Sequence, residues 1–239
     1  RYAFNVRATT LAEISRMITQ MTTVGQTSVA LITQNDPFGK SGLAAAQTAL
    51  AAAKLNPVAQ LTIERDASNA AEVVDALKKL PSLNGVILVA APPATVKIIP
   101  AARQAGLAVQ FYNLAAQANR KVATDLGPHT AGVVFTTLVP SPWKEGLPVV
   151  KEYQQIVEGA TGKREFSYLG LEVFINAKVL VEGLRKAGRN VQRDSLVTAL
   201  ESMGARQFGP LNIDYSGGDR KGAAYVGLTI IDRAGRFVE

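Results

Sequence analysis

Between residues 29 and 137, short β-branched runs alternate with helix-forming stretches, and only a few residues connect one to the next. The runs at 29–33, 58–63, 86–90, 108–113 and 132–137 have the length of strands. Stretches at 41–53, 70–80 and 92–105 have the length of helices, and a shorter one lies near 117–126. Pro57, Pro81 and Gly106 stop the three longer ones. The run Val86-Ile-Leu-Val-Ala90 is apolar throughout, as in a parallel strand buried on both faces. Strands alternating with helices through short connections predict a doubly wound parallel sheet. Upstream, Tyr2-Ala-Phe-Asn-Val-Arg7 alternates like a strand. Thr10 with Glu13 three residues on reads as a capping box. It opens a helix with Leu11, Ile14, Ile18 and Met21 as its apolar stripe, which makes Met17 and Met21 core residues.

The alternation stops at Leu138-Val-Pro140-Ser-Pro142-Trp143. Helices are predicted at 147–158, 168–187 and 195–203, with no parallel strand between them. A short strand at 211–214, a loop at 216–219 and a last strand at 225–232 follow. Arg233-Ala-Gly235 then turns the chain into Arg236-Phe-Val238. Three helices and one short strand bury a sheet poorly. The predicted fold is therefore α/β: one parallel lobe from 1–137 with 223–239, and an incomplete, mostly helical second lobe at 138–222 whose main sheet lies outside this chain.

In open α/β sheets, ligands bind beyond the carboxyl ends of the strands. Phe38, in the turn Asn35-Asp-Pro-Phe-Gly39 after the run at 29–33, stands at such an end. It either faces a ligand or plugs the helix–sheet junction. Trp143, between Pro142 and Lys144, reads as a hinge plug or a cleft wall. Glu172 and Asn176 lie one helical turn apart and are surface residues or ligand contacts.

Several chemistries are excluded or disfavoured. With no cysteine there is no disulfide, thiolate metal site or cysteine nucleophile, and His129 alone makes a poor transition-metal site. No metal, cofactor or enzymatic activity is expected. Gly39-Lys40-Ser41 resembles the end of a phosphate loop, but that motif needs glycine where Gln34 stands, and Pro37 removes an amide from the cradle. Ser41 does not sit in a nucleophile elbow. The formal charge of +7 comes from Lys and Arg that never run beyond adjacent pairs and carry no interleaved aromatics, so it reads as a solvated basic surface rather than a nucleic-acid site. No apolar run approaches the roughly 20 residues of a membrane span. The chain opens at Arg1 with neither Met nor a signal-peptide pattern, and the expectation is that an N-terminal stretch has been removed.

Taken together and in order, the segments Tyr2–Arg7, Asn35–Gly39, Ala102-Arg-Gln-Ala-Gly-Leu107 with Gln110-Phe111, Val139-Pro-Ser-Pro-Trp143, Gly209-Pro-Leu-Asn212 and Gly235-Arg-Phe-Val238 resemble the periplasmic type I ligand-binding receptors of branched-chain amino-acid ABC transporters. The match covers nearly the whole chain but begins in the family's middle. The resemblance implies a periplasmic receptor without catalysis, in which two lobes close on a small molecule and dock on an ABC permease. It implies ligand contacts at Phe38, Ala91, Pro92, Asn113 and Ala115, with Trp143 as a further candidate. The family's acidic residue for an ammonium group falls on Ala115, which favours an organic or aromatic acid over a standard α-amino acid. The missing N-terminal segment, or self-association, is expected to cover the apolar helices. A ligand-sensing regulatory domain of the same fold is the alternative.

Overall fold

The computed structural model of the chain describes residues 2–239. In chain order its elements begin with α1 (Thr10–Thr23), β1 (Val29–Gln34), α2 (Pro37–Ala52), β2 (Ala59–Ile63), α3 (Ala70–Lys78) and β3 (Gly85–Val89). They continue with α4 (Pro92–Gln104), β4 (Gln110–Asn113), a 3-10 turn (Ala115–Gln117), α5 (Arg120–Leu126) and β5 (Val134–Thr137). Then come α6 (Pro148–Thr161), α7 (Tyr168–Ala187), α8 (Arg193–Glu201), β6 (Arg206–Phe208) and β7 (Leu211–Ile213), and last β8 (Gly227–Ile231) and β9 (Phe237–Val238). The chain divides into two compact units. An α/β unit holds Thr10–Thr137 with Leu228–Glu239, and a helical unit holds residues 2–9 with Leu138–Gly227. Among the described residues no helix is long and apolar enough to cross a membrane.

The α/β unit is built on a seven-stranded sheet in the order β2-β1-β3-β4-β5-β8-β9. Pairings from β2 through β5 are parallel, and β8–β9 is antiparallel. The order 2-1-3-4-5 reverses direction between β1 and β3, which makes the carboxyl ends of those two strands the topological switch point. β1, β3 and β5 are buried along their whole length, as expected of parallel strands covered on both faces. Ile14, Met17, Ile18 and Met21 of α1 pack with Leu31, Leu50, Ile87 and Val89 in one apolar cluster. Each such side chain contributes about 1.5–3 kcal/mol on burial.

The sequence reading starts α2 at Ser41, but the helix begins at Pro37. Asp36 caps it, its side chain accepting from the Gly39 N–H at 2.9 Å, and Pro37 fits the first helical position because its missing N–H would be unbonded there anyway. The start is fixed by close approach: a Cβ at Gly39 would lie 1.8 Å from the Gln34 carbonyl oxygen. Phe38 is therefore carried on the first turn of a helix rather than on a loop.

In the helical unit, α7 buries Tyr168, Leu171, Ile175 and Val179. It packs closely on α8, where a Cβ at Gly183 would meet Leu200 Cδ2 at 2.5 Å. Ser167 caps α7 by accepting from the Gly170 N–H. The segment at 2–7 is not a sheet strand, contrary to its alternating pattern. It is held by the Asn5 N–H donating to Arg220 O at 3.0 Å and the Ala223 N–H donating to Val6 O at 2.9 Å. Tyr215 is fully buried beneath it, edge-on to Phe4, with its hydroxyl donating to Asn5 O at 2.8 Å. β6, which pairs with β7 in a hairpin, has no counterpart in the sequence reading because three residues carry too little periodicity.

Candidate ligand-binding edge of the α/β unit

The carboxyl ends of β1, β3, β4 and β5 form one edge, and a polar lattice ties them together. From β1, Gln34 is buried and turns its amide across the switch point. Its Oε1 accepts from the Ala91 N–H at 2.8 Å, and its Nε2 donates to the Asp36 carboxylate. Asp36 thus carries the cap of α2 and the Gln34 amide at once. The Gly39 amide, then the Gln34 side chain, hold its carboxyl below the usual range. Ala91 is the N-cap position of α4 and makes no side-chain cap bond; Pro92 follows at the exposed first turn. From the 3-10 turn after β4, the buried Gln117 amide donates to Ala90 O.

Phe38 is 43% exposed. Its ring is not a plug of the helix–sheet junction, a place taken by Gly39 and by Gly42, whose absent side chain admits Val89. Asn113, the last residue of β4, is fully buried, and its Nδ2 donates to Val134 O at 3.3 Å. The edge therefore brings Phe38, Ala91, Pro92, Asn113 and Ala115 onto consecutive strand ends, with Asn113 beneath the surface rather than on it.

The charge at this edge differs from the sequence expectation. Glu13, read as half of a capping box, is turned inward and is 3% exposed. Its Oε2 accepts from the Ala115 N–H at 2.8 Å and from the Thr136 hydroxyl. Ala115 itself has no charge, yet a carboxylate from α1 sits against its amide. Glu13 is the residue that sequence reasoning missed. The local capping pattern hid it, and its partners lie 102 and 123 residues away along the chain.

Trp143 belongs to the helical unit. It is 40% exposed and packs edge-on to Tyr168, ring centroids 5.3 Å apart. Glu172, its side chain largely covered, pairs with the half-exposed Arg7 at 3.5 Å. Asn176 lines a cavity of about 560 Å³ under the segment at 2–7, with Phe4, Val179, Leu180, Leu196 and Leu200. Phe38, Ala91, Pro92, Asn113, Ala115 and Trp143 do not line that cavity. It reflects an apolar α7–α8 surface that the thin segment at 2–7 does not fill. The His129 carbonyl accepts from Arg103.

A model of the periplasmic binding protein family matches residues 1–233. No curated protein matches the chain. Among solved structures, an extracellular ligand-binding receptor from Verminephrobacter eiseniae ef01-2 superposes with a TM-score of 0.87 at 26% identity, over 99% of this chain and 67% of its own. A substrate-binding periplasmic protein from Ralstonia solanacearum gives 0.84 at 26%, over 98% and 67%. A branched chain amino acid ABC transporter from Thermus thermophilus with bound valine gives 0.81 at 15%, over 98% and 65%, a likeness of fold alone. The chain spans about two thirds of the length of these relatives. The sheet order, the switch-point edge and the family match lead to one conclusion: the chain belongs to the periplasmic binding protein family and has its type I architecture.

Proposed function

We propose that this chain is the larger part of a solute-binding receptor, without catalysis, that delivers a small organic molecule to an ABC permease from the periplasm or the cell exterior. The observation that carries the reading is the switch-point edge, where Phe38 stands exposed over a polar lattice fixed by Gln34, Asp36 and Gln117. Such an edge supplies an apolar wall with a few oriented polar groups, the usual composition of a small-molecule site. Family membership and the receptors it resembles support transport over other uses of the fold. The α/β unit acts as the receptor's second lobe and residues 138–222 as the helical part of the first. Phe38, Ala91, Pro92, Asn113 and Ala115 contribute the second lobe's contacts, and Trp143 belongs to the first lobe's set. The ligand is an organic or aromatic acid or an amino-acid-like molecule, each with an apolar body suited to Phe38. The exposed apolar face of α7 is covered by self-association or by further chain.

The test is a thermal-shift screen of the chain against amino acids, aromatic acids and aliphatic acids. A ligand that binds only the folded state at a hundred times its Kd stabilises by about 2.7 kcal/mol. A rise in Tm with one class, and no chemical turnover of it, is the expected result. Turnover of the stabilising compound, or no rise with any class, would overturn the reading.

A further inference from the structure

Helix α7 carries five charged side chains, and each is already engaged within this chain. Glu172 pairs with Arg7, Lys178 with Glu152 and Glu182 with Arg185, while the Lys186 ammonium donates to Ser202 O. At 3.6 residues per turn, Leu169, Val173, Asn176, Ala177, Leu180 and Leu184 fall within an arc of about 100° that none of those charges enters. All six are exposed. The face is apolar but for one amide along most of the helix. It offers nothing to a charged partner and fits another neutral, apolar face. Asn176 and Leu180 also line the cavity of about 560 Å³, together with Leu196 and Leu200 of α8. The surface open to a partner therefore extends beyond a single helical seam.

The face is symmetric about its own middle. Leu169 and Leu184 stand equally far from the midpoint between Asn176 and Ala177, and so do Val173 and Leu180. An isologous interface needs this property, because one patch must serve on both sides of a two-fold axis. Antiparallel pairing through that midpoint sets Leu169 against Leu184 of the partner subunit and Val173 against Leu180 of the partner subunit. The bulk is then even along the seam. Parallel pairing would stack Val173 on its own copy and Leu180 on its own copy, which splays the helices. It would also bring the last-turn Arg185 and Lys186 of both copies together. Antiparallel pairing separates those cations and opposes the helix dipoles. At the crossing point the small Ala177 allows close approach, and the Asn176 amide both donates and accepts, so it suits a bond to its own copy.

We propose that α7 is a dimerisation helix: a second copy of this chain packs its own α7 antiparallel onto Leu169, Val173, Leu180 and Leu184, with the two-fold axis at Asn176 and Ala177. The proposal rests on the receptor reading only for the covering of α7 named there, and it chooses a second copy over further chain. Its test involves no ligand, so the two readings stand or fall by separate measurements.

Sedimentation equilibrium of the 239-residue chain is expected to give twice the chain mass of 25.3 kDa. Ala177→Glu places two like charges at the axis, and Glu is a good helix former at this exposed site. It is expected to return the mass to that of one chain while the helical circular dichroism stays as it was. The chain has no cysteine, so single-cysteine variants report contacts without background. Leu169→Cys mixed with Leu184→Cys, each with a tag of different size, is expected to give a disulfide-linked mixed dimer under mild oxidation, while neither variant links to itself. Gln155→Cys, on an exposed site of α6, is the control and stays unlinked. A wild-type chain that is monomeric overturns the proposal and leaves the face to further chain. Open-ended aggregation that Ala177→Glu does not reduce overturns it too. So does self-linking of Leu169→Cys without the mixed product, or a Gln155→Cys product as abundant as the mixed one. If Ala177→Glu fails to fold, the cysteine pair decides by itself.

Discussion

Phe38 and Gly39 are neighbours with opposite duties, and single substitutions separate them. Phe38 is exposed, so Phe38→Ala removes little core and, on the proposed function, a ligand wall. We expect a binding loss of about 1–3 kcal/mol, one to two decades in Kd, with Tm nearly unchanged. Calorimetry and a melting curve on the same sample check this, and a large drop in Tm with affinity retained would place the ring in the core instead. Gly39→Ala pushes a methyl group into the Gln34 carbonyl at the foot of α2. That overlap is with backbone, which cannot rotate away, so a destabilisation of about 1–3 kcal/mol is expected in urea unfolding. Tyr215 sets an alkaline limit. Burial pushes its phenol up to about 12 from the ordinary 10.0. Between those values the folded state holds a proton that the unfolded state has released, so stability falls as pH rises from about 10 to about 12. Tyr215→Phe should flatten that decline while losing about 1 kcal/mol below pH 10 through the Asn5 bond. An unchanged alkaline slope in denaturant melts would refute the assignment.

Helix α7 shows what an element reveals about itself and what it leaves to its neighbours. Its span is legible because Ser167 caps it, Gly188 ends it and apolar residues recur through all its turns. One stripe, Leu171, Ile175 and Val179, is buried. A second, Leu169, Val173, Leu180, Val181 and Leu184, is exposed, which is more apolar helix surface than a solvated face ordinarily carries. Paired charges on that stripe, Val173→Lys with Leu180→Lys, should lower self-association without lowering Tm, because neither residue belongs to the buried set. Sedimentation velocity at several concentrations checks the first half. A chain that is monodisperse and monomeric before substitution would show that the stripe drives no association. Helix α1 gives the converse lesson. Ile14, Ile18 and Met21 were readable as buried from period alone, though Leu11 of the same predicted stripe is exposed, and the bond from the Ala115 N–H to Glu13, 102 residues away, was not readable.

At the scale of the molecule, the parallel sheet could be read from sequence because strand length, unbroken apolar runs and intervening helices are local properties of consecutive residues. Those properties stop at Leu138, and the long segment of the helical unit is Leu138–Gly227. Pairing order and long-range partners are not local. That β1 sits between β2 and β3, and so makes a switch point beneath Phe38, depends on crossovers that no window of residues contains. The alternation of the segment at 2–7 predicted a strand, but the segment joins no sheet, because its partners are residues 220 and 223 at the far end of the chain. The sequence by itself determined the elements, the α/β class and which strand ends bear an aromatic or a proline. Tertiary structure alone decided that the Gln34 and Gln117 side chains tie neighbouring strand ends together and that a carboxylate from α1 accepts from the Ala115 amide. Hydrogen bonds and buried charges are settled by which groups meet in space, and groups separated by more than a hundred residues meet only once the sheet has formed.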